Sequence, residues 1–109
     1  MRYRKVGKSG LKVSEISLGS WLTYGGTVEN EIAKKCMAQA LDLGVNFIDS
    51  AEIYAGGKAE EVIAQFIRDE NVSRRNLVVS RKVFWPTSKD INDWGNSRKN
   101  IMNSLSIAL

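Results

Sequence analysis

Apolar residues fall at alternate positions in some stretches of the chain and at every third or fourth position in others. Tyr3 and Val6 precede Gly7-Lys8-Ser9-Gly10, and Leu11, Val13 and Ile16 follow at near-alternate spacing, which predicts a β-hairpin over 2–15. Ile16-Ser17-Leu18 predicts a short strand ending at Gly19-Ser20-Trp21, and Gly25-Gly26 marks a loop. From Glu29 to Leu43, Ile32, Ala33, Cys36, Met37, Ala40 and Leu41 make one helical face, with Gly44 as the stop. Val45 to Asp49 is a buried-strand pattern, and Tyr54-Ala55-Gly56-Gly57 a loop. Ala59, Val62, Ile63, Phe66 and Ile67 then mark a second helix, with Glu60 and Glu61 near its start, where the helix dipole favours them. Leu77-Val78-Val79, within Asn76 to Lys82, predicts a third strand. After a polar loop, Ser97 caps a third helix with Ile101, Met102, Leu105 and Leu109 on one face.

Strand and helix therefore alternate three times after the hairpin, the signature of parallel strands joined by helical crossovers in an α/β fold. In such folds functional groups gather where strands run into loops. Those positions hold Gly19, Ser20 and Trp21, then Asp49 and Tyr54, then Lys82 to Trp85. A phenol, an ammonium and a carboxylate on one rim form a usable set. The phenol donates a proton readily only if its anion is stabilised, the ammonium stabilises it, and the carboxylate holds the ammonium. Taken singly, Asp49 also reads as a turn cap, Tyr54 as packing and Lys82 as a solvated cation. The alternation puts Ser80 and Lys82 on one face of the third strand and Arg81 on the helix-covered face, a poor place for Arg unless it reaches the rim.

Composition narrows the chemistry. With no histidine there is no Ser-His-Asp triad, Cys-His pair or His-ligated zinc, and a single cysteine allows no internal disulfide. Cys36 reads as core. The net charge of +4 is that of a solvated surface, and the cluster Arg2, Arg4, Lys5, Lys8 and Lys12 lacks the interleaved aromatics of a nucleic-acid groove. No apolar run approaches the roughly 20 residues of a membrane helix, and no signal-peptide core follows the basic start, so a cytoplasmic location is expected. Gly56-Gly57-Lys58 does not complete a phosphate loop, and no Gly-x-Gly-x-x-Gly is present.

Three segments carry a resemblance. Lys8-Ser9-Gly10-Leu11-Lys12-Val13-Ser14-Glu15-Ile16-Ser17-Leu18-Gly19-Ser20-Trp21, Gly44-Val45-Asn46-Phe47-Ile48-Asp49-Ser50-Ala51-Glu52-Ile53-Tyr54 and Val78-Val79-Ser80-Arg81-Lys82-Val83-Phe84-Trp85 resemble the N-terminal part of an aldo-keto reductase. Tyr54-Ala55-Gly56-Gly57-Lys58-Ala59-Glu60 and Gly95-Asn96-Ser97-Arg98-Lys99 resemble the branch of voltage-gated potassium-channel β-subunits. The resemblance implies a (β/α)₈ TIM barrel, of which 1–109 would supply the bottom hairpin (1–15) and the first three β/α units (16–109). It implies NADPH-dependent reduction of aldehydes and ketones. Tyr54 would be the general acid, Lys82 would favour its anion, and Asp49 would orient Lys82 and lie near the nicotinamide ribose. Gly19, Ser20 and Trp21 would contact the cofactor, and Trp21 and Trp85 would line the substrate pocket. Thr27, where the channel branch usually has Gln, and Arg81, where the family usually has a small or hydroxyl residue, depart from the pattern.

A whole barrel takes about 250 residues, so the length implies a truncated barrel. The late cofactor-gripping loops would lie outside the chain, and the open sheet would invite self-association or a complementing chain. The other readings are a non-catalytic channel β-subunit-like interaction protein and an inactive gene fragment.

Overall fold

In the computed structural model, which describes residues 1–108, a two-stranded hairpin leads into a three-stranded parallel sheet flanked by helices. The hairpin pairs β1 (Tyr3–Lys5) antiparallel with β2 (Lys12–Ser14), with Tyr3 opposite Ser14. β3 (Leu18–Gly19), β4 (Phe47–Asp49) and β5 (Val78–Ser80) follow in parallel, in sheet order β3-β4-β5. Helices α1 (Asn30–Asp42), α2 (Lys58–Asp69) and α3 (Arg98–Ala108) alternate with these strands. Every predicted element is present; β3 and β4 are shorter than the runs that predict them, and β5 is displaced by one residue from Leu77-Val78-Val79.

The register sorts the sheet into two rows. Leu18, Ile48 and Val79 stand side by side and pack towards the helices, with Ile48 fully buried. Gly19, Asp49 and Ser80 form the next row, which the pleat turns to the opposite face. The core between sheet and helices is built on Ala33 and Met37 of α1, Ala59, Val62, Ile63 and Phe66 of α2, and Tyr24. Tyr24 belongs to an irregular turn over Thr23–Thr27, in the segment read from sequence as an open glycine loop. There the backbone of Gly25 passes so close to α2 that a Cβ would lie 2.6 Å from the Lys58 Cβ.

Both well-packed helices end on the same device. Gly44, at φ +90°, donates to the Leu41 carbonyl (2.9 Å) while Val45 donates to that of Ala40 (2.9 Å). Asn71, at φ +48°, donates to Arg68 (3.3 Å) while Val72 donates to Ile67 (2.9 Å). Each pair of bonds satisfies carbonyls that the end of a helix leaves free. The hairpin is tied to the sheet through Asn46, whose side chain accepts from the Ser14 amide (2.7 Å) and donates to the Lys12 carbonyl (3.1 Å).

Two expectations about buried faces are corrected. Cys36 is exposed, as is Ile32, because α1 turns Ala33, Met37 and Ala40 inward and no other element covers its far side among the described residues. In α3 the buried residues are Asn100 and Ser104, while Ile101, Met102, Leu105 and Ile107 are exposed. Polar contacts dock this helix, and its apolar stripe faces away from the sheet. Leu109, counted with that stripe in the sequence, lies outside the described residues. The cap holds: Ser97 Oγ accepts from the Asn100 amide at 3.1 Å.

Candidate active site

The row Gly19, Asp49 and Ser80 ends the three parallel strands on the face away from the helices, and Lys82 extends it by one further period of β5. Two-residue periodicity thus puts the carboxylate and the ammonium on the same side of neighbouring chain segments. Lys82 Nζ donates to Asp49 Oδ2 at 2.6 Å, to the Ser50 carbonyl at 3.0 Å and to Tyr54 Oη at 3.3 Å. The ammonium also stands 5.1 Å from the centre of the Tyr54 ring. Asp49, Tyr54 and Lys82 are therefore one hydrogen-bonded group. Tyr54 reaches it because Tyr54–Gly57 closes a tight turn immediately before α2, in which the Tyr54 amide donates to the Ala51 carbonyl at 3.1 Å.

Ser80 is a member that sequence reasoning did not assign. Its hydroxyl donates to Asp49 Oδ1 at 2.6 Å, so both carboxylate oxygens are held, one by Ser80 and one by Lys82. Its place two residues before Lys82 was the available signal. Burial alone would raise the Asp49 pKa, but the bonds from Lys82 and Ser80 and the nearby ammonium outweigh it and hold the carboxyl below its ordinary value. For Lys82, burial favours the neutral amine, yet the bonds to Asp49 and Tyr54 overcome it and raise the ammonium above its ordinary value. Lys82 is thus a fixed cation at neutral pH, one hydrogen bond from a phenol oxygen.

The aromatic positions divide. Trp21 is 66% exposed and stacks on Tyr54, with ring centres 6.2 Å apart and planes at 28°. Trp85 joins a separate cluster with Phe84 and Trp94, at centroid distances of 5.3 and 5.4 Å. Trp94 was not singled out in the sequence. It is anchored by the Gly95 amide, which donates to the Phe84 carbonyl at 2.8 Å.

Of the residues expected to meet a cofactor, Gly19 is exposed with open space where a Cβ would stand. Trp21 and Asp49 are also accessible, so these three fit a flat, hydroxyl-bearing nucleotide: an open floor, an aromatic face and a carboxylate acceptor. Ser20 does not reach the open side. It is fully buried, its hydroxyl donating to the Asp49 carbonyl and bonded to Ser50 Oγ, each at 3.0 Å, which ties β3 to β4. Thr27 closes its own turn through the Leu22 carbonyl.

Behind the sheet, Arg81 does lie on the helix side, in company the sequence did not reveal. Its guanidinium pairs with Glu52 (3.2 Å) and Glu60, and Nε donates to Ser104 Oγ at 2.8 Å. Burial raises the Glu60 carboxyl; Arg81 opposes this and the neighbouring Glu52 adds to it, leaving the group above its ordinary value.

Comparison with known proteins agrees with this architecture. A rice (Oryza sativa subsp. japonica) protein described as a probable voltage-gated potassium channel subunit beta is 45% identical over 105 residues, covering 96% of this chain and 32% of its own. Its Arabidopsis thaliana counterpart is 44% identical over 109 residues, covering 100% and 33%. The chain thus spans about a third of the length of these relatives. Among solved structures, a thermostable aldo-keto reductase in complex with the inhibitor epalrestat superposes with a TM-score of 0.76 at 32% identity, over 100% of this chain and 38% of its own. The aldo-keto reductase AKR11C1 from Bacillus halodurans, in its holo form, gives 0.81 at 26% identity, over 100% and 35%. The aldo/keto reductase family profile matches residues 15–109, and the chain belongs to that family.

Proposed function

We propose that this chain carries the proton-donating half of an NADPH-dependent carbonyl reductase active site. The observation that supports the reading best is the single ammonium of Lys82 bonded at once to Asp49 Oδ2 and Tyr54 Oη. Reduction of an aldehyde or ketone needs a hydride at carbon and a proton at oxygen. Tyr54 is the acid: its hydroxyl donates the proton as negative charge grows on the carbonyl oxygen. Lys82 stabilises the phenolate left behind, at a distance where opposite charges act strongly outside bulk water. Asp49 and Ser80 keep Lys82 charged and aimed. NADPH, when bound, supplies the hydride. Gly19, Trp21 and Asp49 are the residues of this chain suited to hold it, and Trp21 with Trp85 would form walls for the carbonyl compound.

In the full-length protein, Tyr54→Phe is expected to lower the rate of aldehyde reduction by about 100-fold or more. NADPH affinity, read by quenching of tryptophan fluorescence, should stay within about twofold, since the phenol is not asked to bind cofactor. Loss of both together would contradict the assignment. The names of the plant relatives support a second reading, association with a channel-like membrane partner. Co-purification of the tagged protein with such a partner from native membranes tests it, and a protein recovered without one counts against it.

A further inference from the structure

We infer that Arg81 is a positioning residue for Tyr54 and Lys82, acting through Glu52 from behind the sheet. The inference rests on the carbonyl-reductase reading for its chemistry but on the following geometry for its cause. Segments 50–54 and 80–82 run side by side: the Ser50 amide donates to the Ser80 carbonyl at 3.1 Å, and the Glu52 amide to the Lys82 carbonyl at 3.3 Å. On the front of this ribbon lies the Asp49, Tyr54 and Lys82 group. On its back, Glu52 and Arg81 face each other across the same two segments. Glu52 is 6% exposed, its Oε2 accepting from Arg81 Nη2 (3.2 Å) and from Ser104 Oγ (2.5 Å). Its Oε1 is buried with no hydrogen-bond partner among the described residues.

A buried carboxylate held on one oxygen only is tolerable while its counter-ion is present and strongly unfavourable without it. Arg81 is that counter-ion. Its planar fork reaches Glu52, Glu60 and Ser104 together, and so links the turn before α2, α2 itself and α3. In this chain, with Glu60 and Ser104 left in place around it, loss of the guanidinium leaves Glu52 to seek water. Glu52 lines the cavity between α2 and α3, and turning its carboxylate into the water there draws residues 50–54 off residues 80–82 and opens the 3.3 Å Tyr54 to Lys82 contact. The neighbouring charged groups Glu61, Asp90, Asp93 and Lys99 line the cavity between α2 and α3 and, among the described residues, make no ion pair with the cluster.

The test compares Arg81→Thr and Arg81→Lys in the full-length protein by amide hydrogen exchange, NADPH affinity and steady-state kinetics. With Arg81→Thr, exchange at the Glu52 amide should accelerate about tenfold, while the Val6 amide, bonded to Leu11 in the distant hairpin, keeps its rate. kcat should fall about tenfold with NADPH affinity within about twofold, and Arg81→Lys should recover part of both changes. Unchanged exchange and kcat in a folded Arg81→Thr protein overturns the inference. So does equal acceleration at Glu52 and Val6, which would mean general loosening. If Arg81→Thr does not fold, Arg81→Lys decides by the same signs at smaller amplitude. Local acceleration at Glu52 in a protein whose wild type reduces no carbonyl compound would uphold the clamp and defeat the reductase reading instead.

Discussion

Lys82 gathers three oxygens from residues 28 to 33 positions away, and its charge has consequences that can be titrated. Asp49 is held below its ordinary value of 3.8, so its contribution to stability is present above that value and fades as pH falls through the folded-state pKa. Lys82 is raised above 10.5, so its contribution is complete below 10.5 and fades as pH climbs through the folded-state pKa. Glu60 runs the other way. Its pKa lies above 4.5, so stability rises as pH falls through the window between 4.5 and that raised value. Asp49→Asn is expected to flatten the acid limb of a stability-against-pH curve, and Glu60→Gln to remove the mildly acidic gain. Denaturant melts at stepped pH check both, and an unchanged acid limb in Asp49→Asn would show that the carboxylate is not held by Lys82 and Ser80. The alternation Ser80, Arg81, Lys82 was enough to predict which side each side chain takes. The partners of Arg81 were not readable, because Glu60 and Ser104 come from two helices 21 and 23 residues away in opposite directions along the chain.

At the scale of elements, helix ends were the most legible feature. Gly44 and Ser97 announce a stop and a start by the conformations and hydrogen bonds those residue types favour. Asn71 performs the task of Gly44 at the end of α2, at φ +48°. A side chain there carries strain that glycine lacks. Asn71→Gly is expected to stabilise the fold by up to about 1 kcal/mol, and Asn71→Val to destabilise it by at least as much. Chemical denaturation of the two variants measures both, and equal stabilities would show that the left-handed turn does not form. The turn over Thr23–Thr27 was missed because two glycines mimic an open loop. Tyr24 becomes core only when α1 and α2 close over it.

The whole molecule leaves a good deal of apolar surface open. Ile101, Met102 and Leu105 of α3 are 43–48% exposed, and β3 and β5 are the two edges of the parallel sheet. Parallel sheets are normally covered on both faces, and open edges pair with whatever edge they meet. The 109-residue chain by itself is therefore expected to self-associate as its concentration rises, and Leu105→Lys to weaken that association. Sedimentation velocity over a range of concentrations checks this, a concentration-independent monomer being the contrary result. The sequence by itself determined the order of elements, the ends of the helices, and the side of the third strand on which Ser80 and Lys82 stand. Those follow from backbone preference and from the periods of 2 and 3.6, which act within a few residues. Only the tertiary structure decided that Cys36 is exposed, that Asn100 and Ser104 rather than Ile101 and Leu105 dock α3, and that Glu52 and Glu60 meet Arg81. A period tells a residue which face of its own element it occupies, while the element that covers that face is chosen by packing between segments far apart in the chain.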